Sequence, residues 1–114
     1  MKRILLVNED AHVCVTASIA ERTAEKMRGL IGRDLPGKGT GLLFRAKQIH
    51  TFGMGYPIDV VYLTKDLTVM RVRKMNPGRV GPLVLRARYV LEMGAGDAAS
   101  CGLRRGMQLK VRHQ

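Results

Sequence analysis

The sequence predicts an α+β domain that is mainly β, a compact rolled sheet, sandwich or barrel of about seven strands with one main helix. Three observations lead to this prediction. Residues 12–20 alternate apolar and polar side chains, and residues 58–63 form a short apolar run rich in β-branched residues. Only residues 23–32 repeat apolar side chains at helical spacing over a substantial length. The 114 residues fit a single domain, 1–114, with one buried core.

The first two strands are expected to form a hairpin. Residues 2–7 are apolar enough for a strand, and the polar residues 8–10 are typical of a turn. In residues 12–20, one face would carry Val13, Val15, Ala17 and Ile19.

The main helix is predicted at residues 23–32. Thr23 is a capping residue, and Met27, Leu30 and Ile31 fall on one apolar stripe. Gly32 is suited to ending the helix in a left-handed conformation.

The remaining elements are short strands separated by turn residues. The predicted strands cover residues 42–46, 58–63, 67–75, an alternating run from Leu83 onwards and a last strand through Met107, Leu109 and Val111. Asp97 is expected to cap one turn of helix that runs to Cys101.

The charge is the unusual property of the composition. A formal net charge of +11 favours attraction to anionic partners but says nothing about the fold. If neighbouring strands align Arg71 and Arg73 with Arg86 and Arg88, the resulting stripe would attract nucleic acid or another polyanion non-specifically. Aromatic residues make up only 4% of the chain, which disfavours recognition of single strands by base stacking.

The cysteine and histidine pattern predicts neither a disulfide framework nor a metal site. Cys14 and Cys101 are expected to be unpaired thiols, and the histidines have no recognised metal-ligand spacing. No cofactor is expected. The apolar run near the amino terminus, residues 4–7, is too short for a signal peptide, and no stretch reaches membrane-spanning length. A cytoplasmic location is therefore expected.

The chain's candidate chemistry is concentrated in residues 49–63. A loop with His50, Thr51 and Met54 leads into the apolar strand that contains Asp59. A buried carboxylate needs partners, so Asp59 is expected to be hydrogen-bonded or paired.

Two interpretations of Asp59 remain open. As a structural group it would accept N–H groups from the glycine loop or bond Arg28, Arg33 or His50. As a catalytic group it would act as a general base or orient His50. Glu92 is expected on the polar face of its strand, as a solvated or Arg-paired surface carboxylate, with a role as a pocket acid as the alternative.

Four segments resemble one known family. They are residues 27–33 (Met-Arg-Gly-Leu-Ile-Gly-Arg), 41–44 (Gly-Leu-Leu-Phe), 49–63 and 90–96, which begins Val-Leu-Glu-Met. In this order they are similar to the signatures of the prokaryotic family called domain of unknown function 192. The resemblance implies a compact, mainly β domain with a helix, and it implies no reaction.

The sequence departs from that family's pattern at several positions. The family often has Arg or Lys at the position of Gly55, and it usually has Asp at the positions of Thr64 and Met107. Some members carry Trp at the position of His50, which argues against catalysis centred on this histidine. Many members carry a secretion signal, and none is expected from residues 1–10 of this sequence.

The leading functional hypothesis is a non-enzymatic binding or accessory module for a small polar or anionic ligand. The site would be a cleft between the 49–57 loop, the end of helix 23–32 and the 92–96 corner, with His50, Thr51, Met54, Asp59, Arg28 and Arg33 as ligand-binding residues. One alternative is a hydrolase- or isomerase-type enzyme that uses His50 and Asp59, with Glu92 as a further catalytic candidate. The other is non-specific binding of nucleic acid or another polyanion.

Overall fold

The computed structural model describes residues 2–20 and 36–113, which form a seven-stranded mixed sheet with a short helix. The strands are β1 (Lys2–Val7), β2 (Val13–Ile19), β3 (Thr40–Arg45), β4 (Ile58–Leu63), β5 (Val69–Met75), β6 (Tyr89–Gly94) and β7 (Lys110–His113), and the helix is α1 (Asp97–Ser100). The mainly β class predicted from the sequence is confirmed. The predicted helix 23–32 lies outside the described residues.

The sheet rolls up and its two edges are joined by the carboxyl-terminal segment. The strand order is β5-β4-β6-β3-β2-β1-β7, with β2 and β3 parallel and the other pairs antiparallel. Just before β7, Leu109 donates its N–H to the Leu67 carbonyl at 2.9 Å, and Val69 donates to the Met107 carbonyl at 2.7 Å. Residues 106–113 therefore pair with β1 on one side and with the start of β5 on the other. This pairing closes a barrel.

Strand β4 is the centre of the fold because all six of its residues are buried. It pairs with β5 on one side and β6 on the other. Since successive side chains of a strand point to opposite faces, β4 contributes to two separate cores. Val61 and Leu63 belong to the first core, whereas Val60 and Tyr62 belong to the second.

The first core fills the barrel and the second covers the outside of its central strands. The barrel core contains Ile4, Leu6, Val15, Ala17, Leu43, Val61, Leu63, Val69, Leu91, Met93, Ala98, Leu103 and Leu109. The outer core contains Ala20, Leu42, Phe44, Ile49, Met54, Ile58, Val60, Tyr62, Met75, Ala87 and Val90.

Two irregular segments form part of the outer core and run beside each other. We call residues 47–52 and 79–87 the ribbon. Their backbones are joined where Val84 donates to the Lys47 carbonyl at 2.8 Å and Gly81 donates to the Ile49 carbonyl at 2.9 Å. The predicted alternation from Leu83 onwards holds for Tyr89, Leu91 and Met93, which face the barrel core, but it fails before them: β6 begins only at Tyr89, and Leu85 is exposed.

Helix α1 packs at one end of the barrel, beside β4 and β6. Its Ala98 is buried in the barrel core, and the Ala98 N–H is donated to Asp59 Oδ2 at 3.0 Å. Asp97 Oδ2 accepts the Gly39 N–H at 2.9 Å, which links the helix to the loop before β3. The predicted turn of helix exists, but its N-cap is Gly96, and Asp97 makes no capping bond within it.

The contact between Asp59 and α1 predicts a stability difference between two variants. Asp59→Ala removes a buried charged acceptor and leaves the Ala98 N–H unpaired, so it should lower the free energy of unfolding by about 1.5–3 kcal/mol. Asp59→Asn keeps an oxygen acceptor and should lose less. Urea unfolding at constant m-value measures both.

His50→Ala serves as the comparison outside the core, and an exposed substitution of this kind should change stability by no more than about 0.5 kcal/mol. An Asp59→Ala midpoint equal to that of the parent would contradict the role assigned to this carboxylate.

Candidate functional site

His50 and Asp59, two of the residues predicted to form a cleft around the 49–57 loop, are not brought together. His50 is exposed, and its Nδ1 accepts the Phe52 N–H at 3.2 Å, while the two rings lie 5.2 Å apart. Asp59 lies on the face of β4 that carries Val61 and Leu63 and contacts α1, whereas the loop packs against the opposite face through Met54. His50 and Asp59, the predicted catalytic pair, therefore lie on opposite sides of β4.

Thr51 is buried and fastens the loop to the chain after β5. Its hydroxyl donates to the Asn76 carbonyl at 2.7 Å and accepts the Arg79 N–H at 2.8 Å. The backbone of Thr51 adds three further bonds: its own N–H donates to the Arg79 carbonyl, and its carbonyl accepts the N–H groups of Gly78 and Met54. With these groups engaged, Thr51 stabilises the loop and offers no free hydroxyl to a ligand.

Met54 is a core residue, and the two arginines proposed as ligand-binding residues cannot be placed. The Met54 side chain is buried in the outer core. Arg28 and Arg33 lie outside the described residues.

Glu92 is buried, with 4% of its surface exposed, so the predicted solvated position was wrong. It lies between Val60 and Leu42 in the sheet register, on the outer-core face. Strand β6 is covered on both faces, whereas the prediction assumed that one face meets water. Burial raises the pKa of the neighbouring Tyr62, the charges of Arg71 and Arg73 oppose this shift, and the charge of Glu92 adds to it.

The predicted basic stripe does not form as expected. Strand β4 separates β5, which carries Arg71 and Arg73, from β6, and Arg86 and Arg88 precede β6. Arg88 is half-buried, and its Nε finds no hydrogen-bond partner. Arg71 instead lies beside the turn that contains Arg104 and Arg105, against a shallow groove.

A cavity of about 530 Å³ opens at the barrel end opposite α1. It is lined by residues at the strand ends that meet there. The apolar wall includes Ile4, Ile19, Leu43, Phe44, Leu67 and Tyr89. Barrel mouths are common ligand sites because the strand ends leave space that side chains fill only partly.

The rim of this end cavity is cationic or titratable. Arg45, Lys65 and His113 are exposed residues of its lining. Among the described residues that line the cavity, none is acidic. A site with an apolar wall and a basic rim fits a ligand that has an apolar body and an anionic end.

Leu67 holds an unusual backbone conformation in the wall of the end cavity. Its φ is 65°, in the left-handed region that glycine and asparagine adopt most readily. Its N–H donates to the Thr64 carbonyl, and its carbonyl accepts the Leu109 N–H. Its side chain packs on the barrel core. No sequence signal indicates this conformation, since Lys65-Asp66 marks a turn without determining the conformation of the next residue.

The opposite end of the barrel holds the two cysteines, both unpaired as predicted. Burial raises the pKa of Cys14, and a backbone hydrogen bond from Asn8 partly offsets this effect. Burial also raises the pKa of Cys101, with smaller contributions from the charges of Asp97 and Cys14.

Two further classes of site receive no support from the described part of the chain. Within residues 2–20 and 36–113, no three His, Cys, Asp or Glu side chains cluster as metal ligands would. No helix in these ranges is long and apolar enough to cross a membrane.

The fold and the cavity together define a small closed β-barrel with a ligand-sized opening at one end. The chain belongs to the domain of unknown function 192 family, described as Uncharacterized ACR, whose model matches residues 5–111. The resemblance noted in the sequence is therefore confirmed. Among curated proteins, none matches the chain.

Two solved structures share the fold. One is a protein of unknown function from Novosphingobium aromaticivorans, with 22% identity, a TM-score of 0.76, and coverage of 95% of this chain and 83% of the other. The second, from Sinorhizobium meliloti, is described as a candidate transcription regulator; it has 21% identity, a TM-score of 0.79, and coverage of 96% and 92%.

The hydrogen bonds of Thr51 predict the effect of removing its hydroxyl. Thr51→Val leaves the Asn76 carbonyl and the Arg79 N–H without this partner and should lower the free energy of unfolding by about 2–3 kcal/mol. Thr51→Ser keeps the hydroxyl and loses one methyl group, so its cost should stay near 1 kcal/mol or below. Equal urea midpoints for the two variants would contradict this account.

The raised thiol pKa values predict how cysteine reactivity depends on pH. Because the folded protein disfavours the thiolate, alkylation by iodoacetamide should reach half of its maximal rate at a higher pH in the native chain than in urea. Mass spectrometry of each cysteine peptide across a pH series measures both midpoints. A native midpoint at or below the unfolded one would show that burial does not control these thiols.

Proposed function

We propose that this protein is a non-enzymatic binding module that accepts a small amphiphilic anion in the end cavity. The observation that carries the proposal is the combination of an apolar wall with a rim of Arg45, Lys65 and His113. The ligand is anionic, as expected from the sequence. The proposed site is the end cavity, and not the predicted cleft beside the 49–57 loop and the 92–96 corner.

The size of the end cavity supports a small ligand. Its volume of about 530 Å³ falls within the range of about 300–1,000 Å³ that is typical of small-molecule sites. Each methylene group transferred from water to the apolar wall contributes about 0.8 kcal/mol, so the apolar body of the ligand supplies most of the affinity.

The rim supplies selectivity for charge. Arg45 and Lys65 are exposed, so each contact with an anionic end contributes up to about 1 kcal/mol after screening by solvent. A cationic ligand of the same length would face these charges without compensation. The rim therefore favours an anionic over a cationic amphiphile.

The enzyme alternative has less support. It needs His50 and Asp59 to act together, and these residues lie on opposite sides of β4. For polyanion binding, the expected stripe is interrupted by β4.

Calorimetric titration with three probes tests the proposal. Decanoate should bind measurably, while acetate lacks the apolar body and decyltrimethylammonium has the wrong charge, so both should bind much more weakly. Equal binding of the anionic and cationic amphiphiles would contradict the assigned role of the rim, and no binding of decanoate would reject the proposal.

Leu67 offers a matched pair of variants for the same titration. Asn and Asp both tolerate the left-handed backbone and have nearly the same shape. Leu67→Asn should weaken decanoate binding by removing part of the apolar wall. Leu67→Asp adds a negative charge to the wall of the same cavity, which is unfavourable for an anionic ligand, and should weaken binding about tenfold further.

Arg104→Gln is the control for net charge, because Arg104 lies at the other end of the barrel. It should leave decanoate binding unchanged, whereas Arg45→Gln should reduce it about fivefold.

A further inference from the structure

The exposed hydrophobic residues of the described chain are concentrated on the ribbon. Seven large hydrophobic residues are exposed among the described residues, and four of them lie here. Phe52 is 52%, Val80 63%, Leu83 58% and Leu85 71% exposed. Large apolar side chains in contact with water are unfavourable, and a concentration of them in one segment marks a site where a protein or a membrane binds.

The ribbon holds these side chains on a fixed support. Lys47 Nζ donates to the carbonyls of Leu85 and Ala87, both at 2.7 Å, and Gln48 Nε2 donates to the Gly81 carbonyl at 2.9 Å. A Cβ atom on Gly81 would lie 3.0 Å from the Tyr62 hydroxyl, so the ribbon backbone approaches the outer core closely. The apolar residues are therefore displayed by a well-anchored segment.

The charges of the ribbon have one sign. Lys47, Arg79 and Arg86 are exposed, and neither 47–52 nor 79–87 contains an acidic residue. The longer stretch between Asp66 and Glu92 also contains six basic residues and no acidic one. This surface combines cations with exposed apolar side chains. It therefore complements a partner whose outer layer is uniformly anionic and whose interior, just below that layer, is apolar.

We propose that the ribbon docks on an anionic lipid surface, with Phe52, Val80, Leu83 and Leu85 entering the boundary between headgroups and acyl chains. Lys47, Arg79 and Arg86 would then lie at the level of the anionic headgroups, where each basic residue adds to the attraction. This proposal does not depend on ligand binding in the end cavity.

Other occupants fit the ribbon less well. Single-stranded nucleic acid is bound largely through aromatic platforms, and three of the four exposed apolar residues are aliphatic. A second copy of the chain would bring the same cations face to face, and like charges at an interface are unfavourable. A protein partner commonly presents both signs of charge, whereas this surface complements only one.

Sedimentation with lipid vesicles tests the proposal. The full chain should bind vesicles of equal parts phosphatidylcholine and phosphatidylglycerol, and it should bind pure phosphatidylcholine vesicles far more weakly. Binding should weaken as salt is raised. Leu85→Ser should reduce the vesicle partition constant about tenfold, since a leucine side chain loses its burial. Arg86→Gln should reduce it about fivefold.

Matched controls lie outside the ribbon. Val13, which is 47% exposed on β2, tests the loss of an apolar side chain, and Arg3 on β1 tests the loss of a charge. Val13→Ser and Arg3→Gln should bind vesicles as the parent does. Leu67→Asp should also bind normally, which separates this surface from the end cavity.

Three outcomes would overturn the proposal. The first is no preference for anionic vesicles. The second is an equal loss of binding in Val13→Ser and Leu85→Ser. The third is that the parent does not bind vesicles and instead forms a dimer, detected by light scattering, which Leu85→Ser dissociates. Far-UV circular dichroism checks that each variant is folded, above all Leu67→Asp, whose parent side chain packs on the barrel core.

Discussion

The burial of β4 on both faces is the constraint on which the rest of the structure depends. A strand with six buried residues and neighbours on both edges requires apolar partners above and below it. The barrel core covers one face, and the outer core, with part of the ribbon, covers the other. The ribbon is thus more than a connection between strands, because Ile49 and Ala87 shield a side of the sheet that water would otherwise reach.

Because the central strands are covered on both faces, the polar side chains on them are also buried and need hydrogen-bond partners. Asp59 and Glu92 lie on β4 and β6 and are almost completely buried. The Asp59 carboxylate accepts the Ala98 N–H at the start of α1. This hydrogen bond supplies the buried carboxylate with a donor and holds the helix against β4. The helix thereby occupies one end of the barrel while the other end keeps its cavity.

Much of the fold was predictable because the information is local. The run from Ile58 to Leu63 and the alternation around Val15 and Ala17 determine strands through neighbouring residues alone. The need of Asp59 for a partner was also predictable from the cost of burying a charge. Its partner was not, since Ala98 is 39 positions away and offers only a backbone N–H. The end cavity was missed because strand ends far apart in the sequence build it. Glu92 was misplaced because an alternating pattern does not reveal whether a strand is covered on one face or on two.

The closure of the barrel by residues 106–113 has a consequence for the order of events during synthesis. These residues pair with β1, made first, and with the start of β5, made halfway along the chain. Until they leave the ribosome, the nascent sheet has two open edges whose backbone groups are free to pair with other chains. Folding must also await contacts between distant parts of the sequence, which slows it. The nascent chain is therefore exposed to aggregation until residues 106–113 have left the ribosome and paired with both edges.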